Sequence, residues 1–155
     1  MTTRAGRPGD AERVGVLLGR VPRGDFETVV RAGDGDPVVI RNAPFLTDGT
    51  PMPTRYWLVG LDLRRRVDRL EAAGGVNRAE AEVDAAEVAA AHDRYRAERD
   101  GDIPPGWTGP RPSGGVAGTR QGVKCLHAHL AWYLAGGDDP VGRWTAAALG
   151  LDMGT

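Results

Sequence analysis

The stretch Cys125-Leu126-His127-Ala128-His129 carries more chemistry per residue than any other in this chain. A thiol and two imidazoles within five positions are side chains that zinc favours, and a thiol beside an imidazole is also the start of a nucleophile–base pair. Helical spacing decides which combination can form. If Cys125 lies in a helix, His129 follows one turn later on the same face, whereas His127 is rotated by about 200° and points away. The three cannot then converge on one ion. The only further histidine is His92, so neither a metal nor another cofactor is expected.

The pair left by this geometry is Cys125 with His129 as acceptor of its proton, and these two are the candidate catalytic groups. Lys124 adds a positive charge directly before the thiol, and a helix N-terminus favours anions. Lys124 and His127 are accordingly candidate ligand-binding residues for a small anion or a nucleotide. The structural alternative weighs more. An unpaired cysteine commonly packs as a small hydrophobe, and His127 shares a face with Ala131 and Leu134, where it can cap a core and bond a carboxylate. His92 reads as the surface residue of a helix.

Two loops are the other places from which groups can be presented. Asp48-Gly49-Thr50-Pro51-Met52-Pro53-Thr54 is stiffened by proline, and it offers Asp48, Thr50 and Thr54 to a ligand or simply joins two strands. Gly101 to Gly118 holds ten Gly or Pro residues in eighteen positions, a density that excludes helix and strand. It reads as either a docked flap or a mobile loop. Trp107 favours docking and is the candidate contact residue there.

The elements that must position these groups follow from the apolar pattern. Asp10 reads as an N-cap, with a short helical apolar pattern over Arg13 to Leu18 that Gly19 ends. Phe26 to Arg31, Val38 to Ile40 and Arg55 to Val59 read as strands, the first two joined by the turn residues Gly33-Asp34-Gly35-Asp36. A helix follows from Leu61 with Leu63, Val67 and Leu70 on one face, closed at Gly74-Gly75. Another is expected from Asn77, as cap, to Arg99. Val123 to Ala135 forms the next, and Asp139-Pro140 starts the last. The expected fold is α+β: a small antiparallel meander of about three strands packed with four to five helices. Residues 1–155 read as a single domain, with 1–9 as a disordered tail.

Composition narrows the classes. A net charge of −1 gives no general attraction to nucleic acid or to an anionic membrane. Arg64-Arg65-Arg66 is interleaved with Asp62, Asp68 and Glu71 and reads as a solvated helix face. No apolar run reaches the roughly 20 residues that span a bilayer, and no signal-peptide h-region follows the N-terminal arginines. A single cysteine excludes an internal disulfide framework. A cytoplasmic location is expected. Nineteen of the twenty basic residues are arginine, which makes Lys124 an exception to the local habit.

Three stretches together resemble a known family. They are Pro22-Arg23-Gly24; the Asp48 to Thr54 loop running into Tyr56-Trp57-Leu58, with Arg69-Leu70-Glu71 beyond; and Val123-Lys124-Cys125-Leu126-His127 with Pro140-Val141-Gly142. They resemble the uncharacterised actinobacterial domain-of-unknown-function family numbered 501, over roughly residues 15 to 150. The resemblance implies no established activity. Genes of that family often lie near those for a septum-formation initiator, an enolase and an exopolyphosphatase-like protein, an association that fixes no chemistry. Many members carry cysteines at the positions of Ala32 and Gly60 here. A metal site built on those thiols in relatives would be lost from this chain.

No complete catalytic constellation emerges, so the leading expectation is a non-catalytic binding or regulatory domain, with a protein or a small anionic ligand as partner. The alternative is a small enzyme or an anion- or nucleotide-binding protein that uses Lys124, Cys125 and a nearby histidine at a helix start.

Overall fold

The computed structural model describes residues 7–151. Strands β1 (Phe26–Arg31), β2 (Pro37–Asn42) and β3 (Tyr56–Leu58) form one antiparallel sheet in the order β1-β2-β3. The first hairpin closes where expected: the Asp36 N–H donates to Asp34 Oδ1 at 2.9 Å, an Asx-type turn. A register shift between Thr28 and Val30 breaks the alternation of β1, so Val29 and Val30 are both buried.

Both faces of the sheet are covered. Helix α1 (Asp10–Leu18) lays Val14 and Leu17 against Ile40 and Val59. The neighbouring residues of the same strands, Val39 and Leu58, point the other way into the main core. That core also takes Leu63 and Val67 from α2 (Leu61–Ala72) and Val88, Ala91 and Tyr95 from α4 (Ala85–Asp100). Leu126 and Leu130 of α5 (Leu126–Leu134) and Val141 of α6 (Pro140–Ala148) complete it. Burying each of these aliphatic side chains contributes about 1.5–3 kcal/mol before entropy is charged. The fold is α+β, as the sequence pattern implies.

Among the described residues there are six α-helices rather than four or five helices, and a 3₁₀ turn at Val116–Gly118 lies in the Gly/Pro-rich stretch expected to hold no helix. The segment read as one helix from Asn77 is two, α3 (Gly75–Glu82) and α4, broken at Val83, whose backbone is extended (φ −96°, ψ 133°). Asp84 then caps α4 by accepting the Glu87 N–H at 3.2 Å. Asn77 lies inside α3 and caps nothing. Of the tail expected at residues 1–9, residues 1–6 lie outside the described residues. Arg7 to Gly9 form a turn, and the Arg7 N–H donates to Asp10 Oδ2 at 2.7 Å.

Two further connections fix the ground around Cys125. His92 is buried rather than on the surface: its Nδ1 accepts the Val116 N–H at 3.0 Å and its Nε2 donates to the Gly122 carbonyl at 2.8 Å. Burial holds its pKa below the usual imidazole value. The segment entering α5 is thereby pinned to α4. On the other side, α5 and α6 approach so closely that a Cβ on Gly142 would meet Tyr133 Cβ at 2.4 Å.

Candidate functional site

The first helical residue of α5 is Leu126, and Cys125 is its N-cap, with extended backbone (φ −151°, ψ 148°). This one-residue difference reverses the expected pairing of side chains. With Cys125 outside the helix, the 100° step no longer separates it from His127, and the thiol and the imidazole lie within 4.8 Å of each other. His129 turns inward, fully buried, with Nδ1 donating to Asp139 Oδ2 at 2.6 Å. The imidazole beside the thiol is therefore His127, and His129 is corrected from candidate base to core residue.

Helix α2 supplies the partners. Glu71 Oε2 accepts the Leu126 N–H at 2.7 Å, capping α5 from a different helix. The same oxygen lies 3.3 Å from His127 Nδ1, while His127 Nε2 donates to Asp68 Oδ1 at 2.8 Å. Hydrogen bonding to Cys125, reinforced by Glu71 and Asp68 and opposed by burial, pushes the His127 pKa up to about 9. The ring is an imidazolium at neutral pH. Glu71, Cys125 and His127 are all half-buried, and one ligand atom of each lies within 4.8 Å of the others.

Cys125 and His127 line a groove of about 420 Å³ between β3, α2 and the start of α5, and Glu71 lies outside its lining. Tyr56, Trp57 and Leu58 line it, as do the cations Arg20, Arg64, Lys124 and His127, with Asp68 the single carboxylate among the described lining residues. Arg64 is anchored by donating to the Leu17 carbonyl at the end of α1, so the arginine run is not simply a solvated face. Arg20 lies 5.4 Å above the Trp57 ring, a cation–π contact. Lys124 is exposed and has no ion-pair partner among the described residues.

Of the ligand-binding candidates in the first loop, Thr54 lines this groove. Asp48 and Thr50 are engaged with each other, the Thr50 N–H donating to Asp48 Oδ1 at 3.0 Å. Trp107 stacks on Phe45 with ring centroids 4.1 Å apart and packs beside Gly49. Asp48, Thr50 and Trp107 are not among the residues that line the groove. Of residues 101–118, Ala117 lines the groove.

A family model described as "Protein of unknown function (DUF501)" matches residues 28–147. The chain belongs to this family. A comparison with curated proteins finds no match, and one with solved structures finds none. The family match spans β1 to α6 and so includes Asp68, Glu71 and the Cys125-His127 pair. Ala32 and Gly60, the positions where the resemblance puts cysteines in relatives, line a separate hollow with Val38 and Leu63. A thiol missing there leaves the Cys125 cluster intact.

Arg20 was not singled out by the sequence pattern, and Arg64, Asp68 and Glu71 were read there only as a solvated helix face. The spacing of α2 does place Arg64, Asp68 and Glu71 on adjoining turns of one side, the signal that would have grouped them. No helix among the described residues is long and apolar enough to cross a membrane.

Proposed function

We propose that this chain is a cytoplasmic binding domain whose groove takes a small anion bearing a phosphate or carboxylate group. The observation that carries the reading is the convergence of Arg20, Arg64, Lys124 and the His127 imidazolium on one groove, with Asp68 the only carboxylate among its described lining residues. Low-dielectric walls of Tyr56, Trp57 and Leu58 strengthen such a field. Thermal unfolding with inorganic phosphate or pyrophosphate tests it. A rise in Tm is expected that shrinks with added NaCl and is lost in the Arg20→Ala/Lys124→Ala double variant. No shift with either ligand, or the same shift in the double variant, rejects the reading.

A second reading, a thiol-dependent enzyme, draws on the order thiol, imidazole, carboxylate in Cys125, His127 and Asp68. A nucleophile beside an imidazole that a third group orients is the arrangement such enzymes share. Alkylation of the sole cysteine decides it. A thiol that reacts only after unfolding is incompatible with a catalytic role.

A further inference from the structure

We propose that Glu71, Cys125 and His127 bind a single zinc ion whose fourth coordination position opens into the groove. One oxygen, one sulfur and one nitrogen, each from a different side chain, lie within 4.8 Å of one another. Zinc bonds such atoms at about 2.0–2.3 Å, which spaces tetrahedral ligands about 3.3–3.8 Å apart. Closing the set takes a contraction of about 1 Å, a distance that rotation of half-buried side chains provides.

The surroundings favour a metal beyond proximity. Asp68 already engages His127 Nε2 at 2.8 Å, and Nδ1 faces Glu71 at 3.3 Å. Nδ1 is therefore the ligand nitrogen and Asp68 the carboxylate that fixes the ring, an arrangement that recurs behind metal-bound histidines. Glu71 is itself held by the Leu126 N–H. A thiolate, a carboxylate and a neutral imidazole balance the charge of Zn²⁺. The thiolate and imidazole select zinc over magnesium or calcium, which take oxygen ligands. Three protein ligands with an open position is the ligand count of reactive or ligand-binding zinc rather than of closed structural sites.

The inference stands apart from the anion reading, because zinc uptake is measurable with chloride as the only added anion. The full chain is stripped with a chelator and titrated with zinc against a chromophoric competitor. Uptake of a single equivalent is expected, and cobalt(II) in its place should show tetrahedral visible bands with a thiolate charge-transfer band. Glu71→Gln and His127→Gln should weaken zinc by at least about tenfold, Cys125→Ser should abolish the charge-transfer band, and Asp48→Asn should change neither. Zinc should also slow alkylation of Cys125 in the unaltered chain, a readout that no folding defect can mimic. Failure to take up stoichiometric zinc, or Cys125→Ser binding with unchanged affinity, overturns the proposal. Zinc uptake without a phosphate-induced Tm shift sustains the metal site while removing the anion reading.

Discussion

His129 Nδ1 and Asp139 Oδ2 meet at 2.6 Å with neither side chain exposed. The contact joins α5 to α6 from inside the core. Asp139 does two jobs, since its Oδ1 also accepts the Val141 N–H at 2.9 Å and caps α6. Removing one member of a buried pair leaves the other desolvated without compensation, at a cost of about 3–5 kcal/mol. Asp139→Ala should therefore lower stability by about 3 kcal/mol or more. Asp139→Asn should cost less, because an amide can still cap α6 and bond the ring. Urea unfolding of both variants checks this; equal losses, or a loss below about 1 kcal/mol for the alanine variant, would contradict it.

A second buried pair links α1 to β1. Arg31 Nη2 donates to Asp10 Oδ2 at 2.7 Å and Nη1 to Oδ1 at 3.0 Å, with the Arg31 side chain only 2% exposed. The hydrogen bond from Arg31 holds the Asp10 pKa below its ordinary value of 3.8. A carboxylate whose pKa is lower folded than unfolded contributes stability above the unfolded value and loses it as pH falls through the folded value. The stability gap between the natural chain and Asp10→Asn should thus be constant from neutral pH down to about 5 and narrow below about 4. Denaturant midpoints measured at successive pH values test this, and a gap that persists unchanged to pH 2 would refute it.

The strands and most helix ends were legible because their signals are local. Gly33-Asp34-Gly35-Asp36 makes a turn wherever it stands, and Asp139-Pro140 supplies both a cap and a first-turn proline. The break at Val83 was hidden because an alanine-rich stretch with no Gly or Pro is a good helix whether continuous or divided. The site failed at a boundary. Val123, Lys124 and Cys125 have no residue that forbids helix, yet the chain stays extended at Cys125 because Glu71, far away in sequence, caps the Leu126 N–H. That contact moves Cys125 from the His129 side to the His127 side. His92 was misread for a related reason: its partners, Val116 and Gly122, lie in a loop whose path no periodicity reports.

Arg99 determines the path of that loop. Its side chain is fully buried, and Nη1 donates to the Pro53 carbonyl at 3.1 Å and the Gly114 carbonyl at 2.9 Å. The two loops read as independent in sequence are thus clamped by one guanidinium, with the Phe45–Trp107 stack at their outer end. Arg99→Ala strands buried carbonyls that have no side chain to replace the donor, at a cost of at least about 2 kcal/mol. Trp107→Ala removes only a partly exposed aromatic contact, worth about 0.5–1.5 kcal/mol beyond its area. Proteinase K should therefore cut within residues 101–118 much faster in Arg99→Ala than in Trp107→Ala. Arg99→Lys should fall between, because an ammonium keeps the charge but cannot reproduce the planar fork. Equal protection of the loop in the arginine and tryptophan variants would show that the stack, and not the buried guanidinium, holds it down.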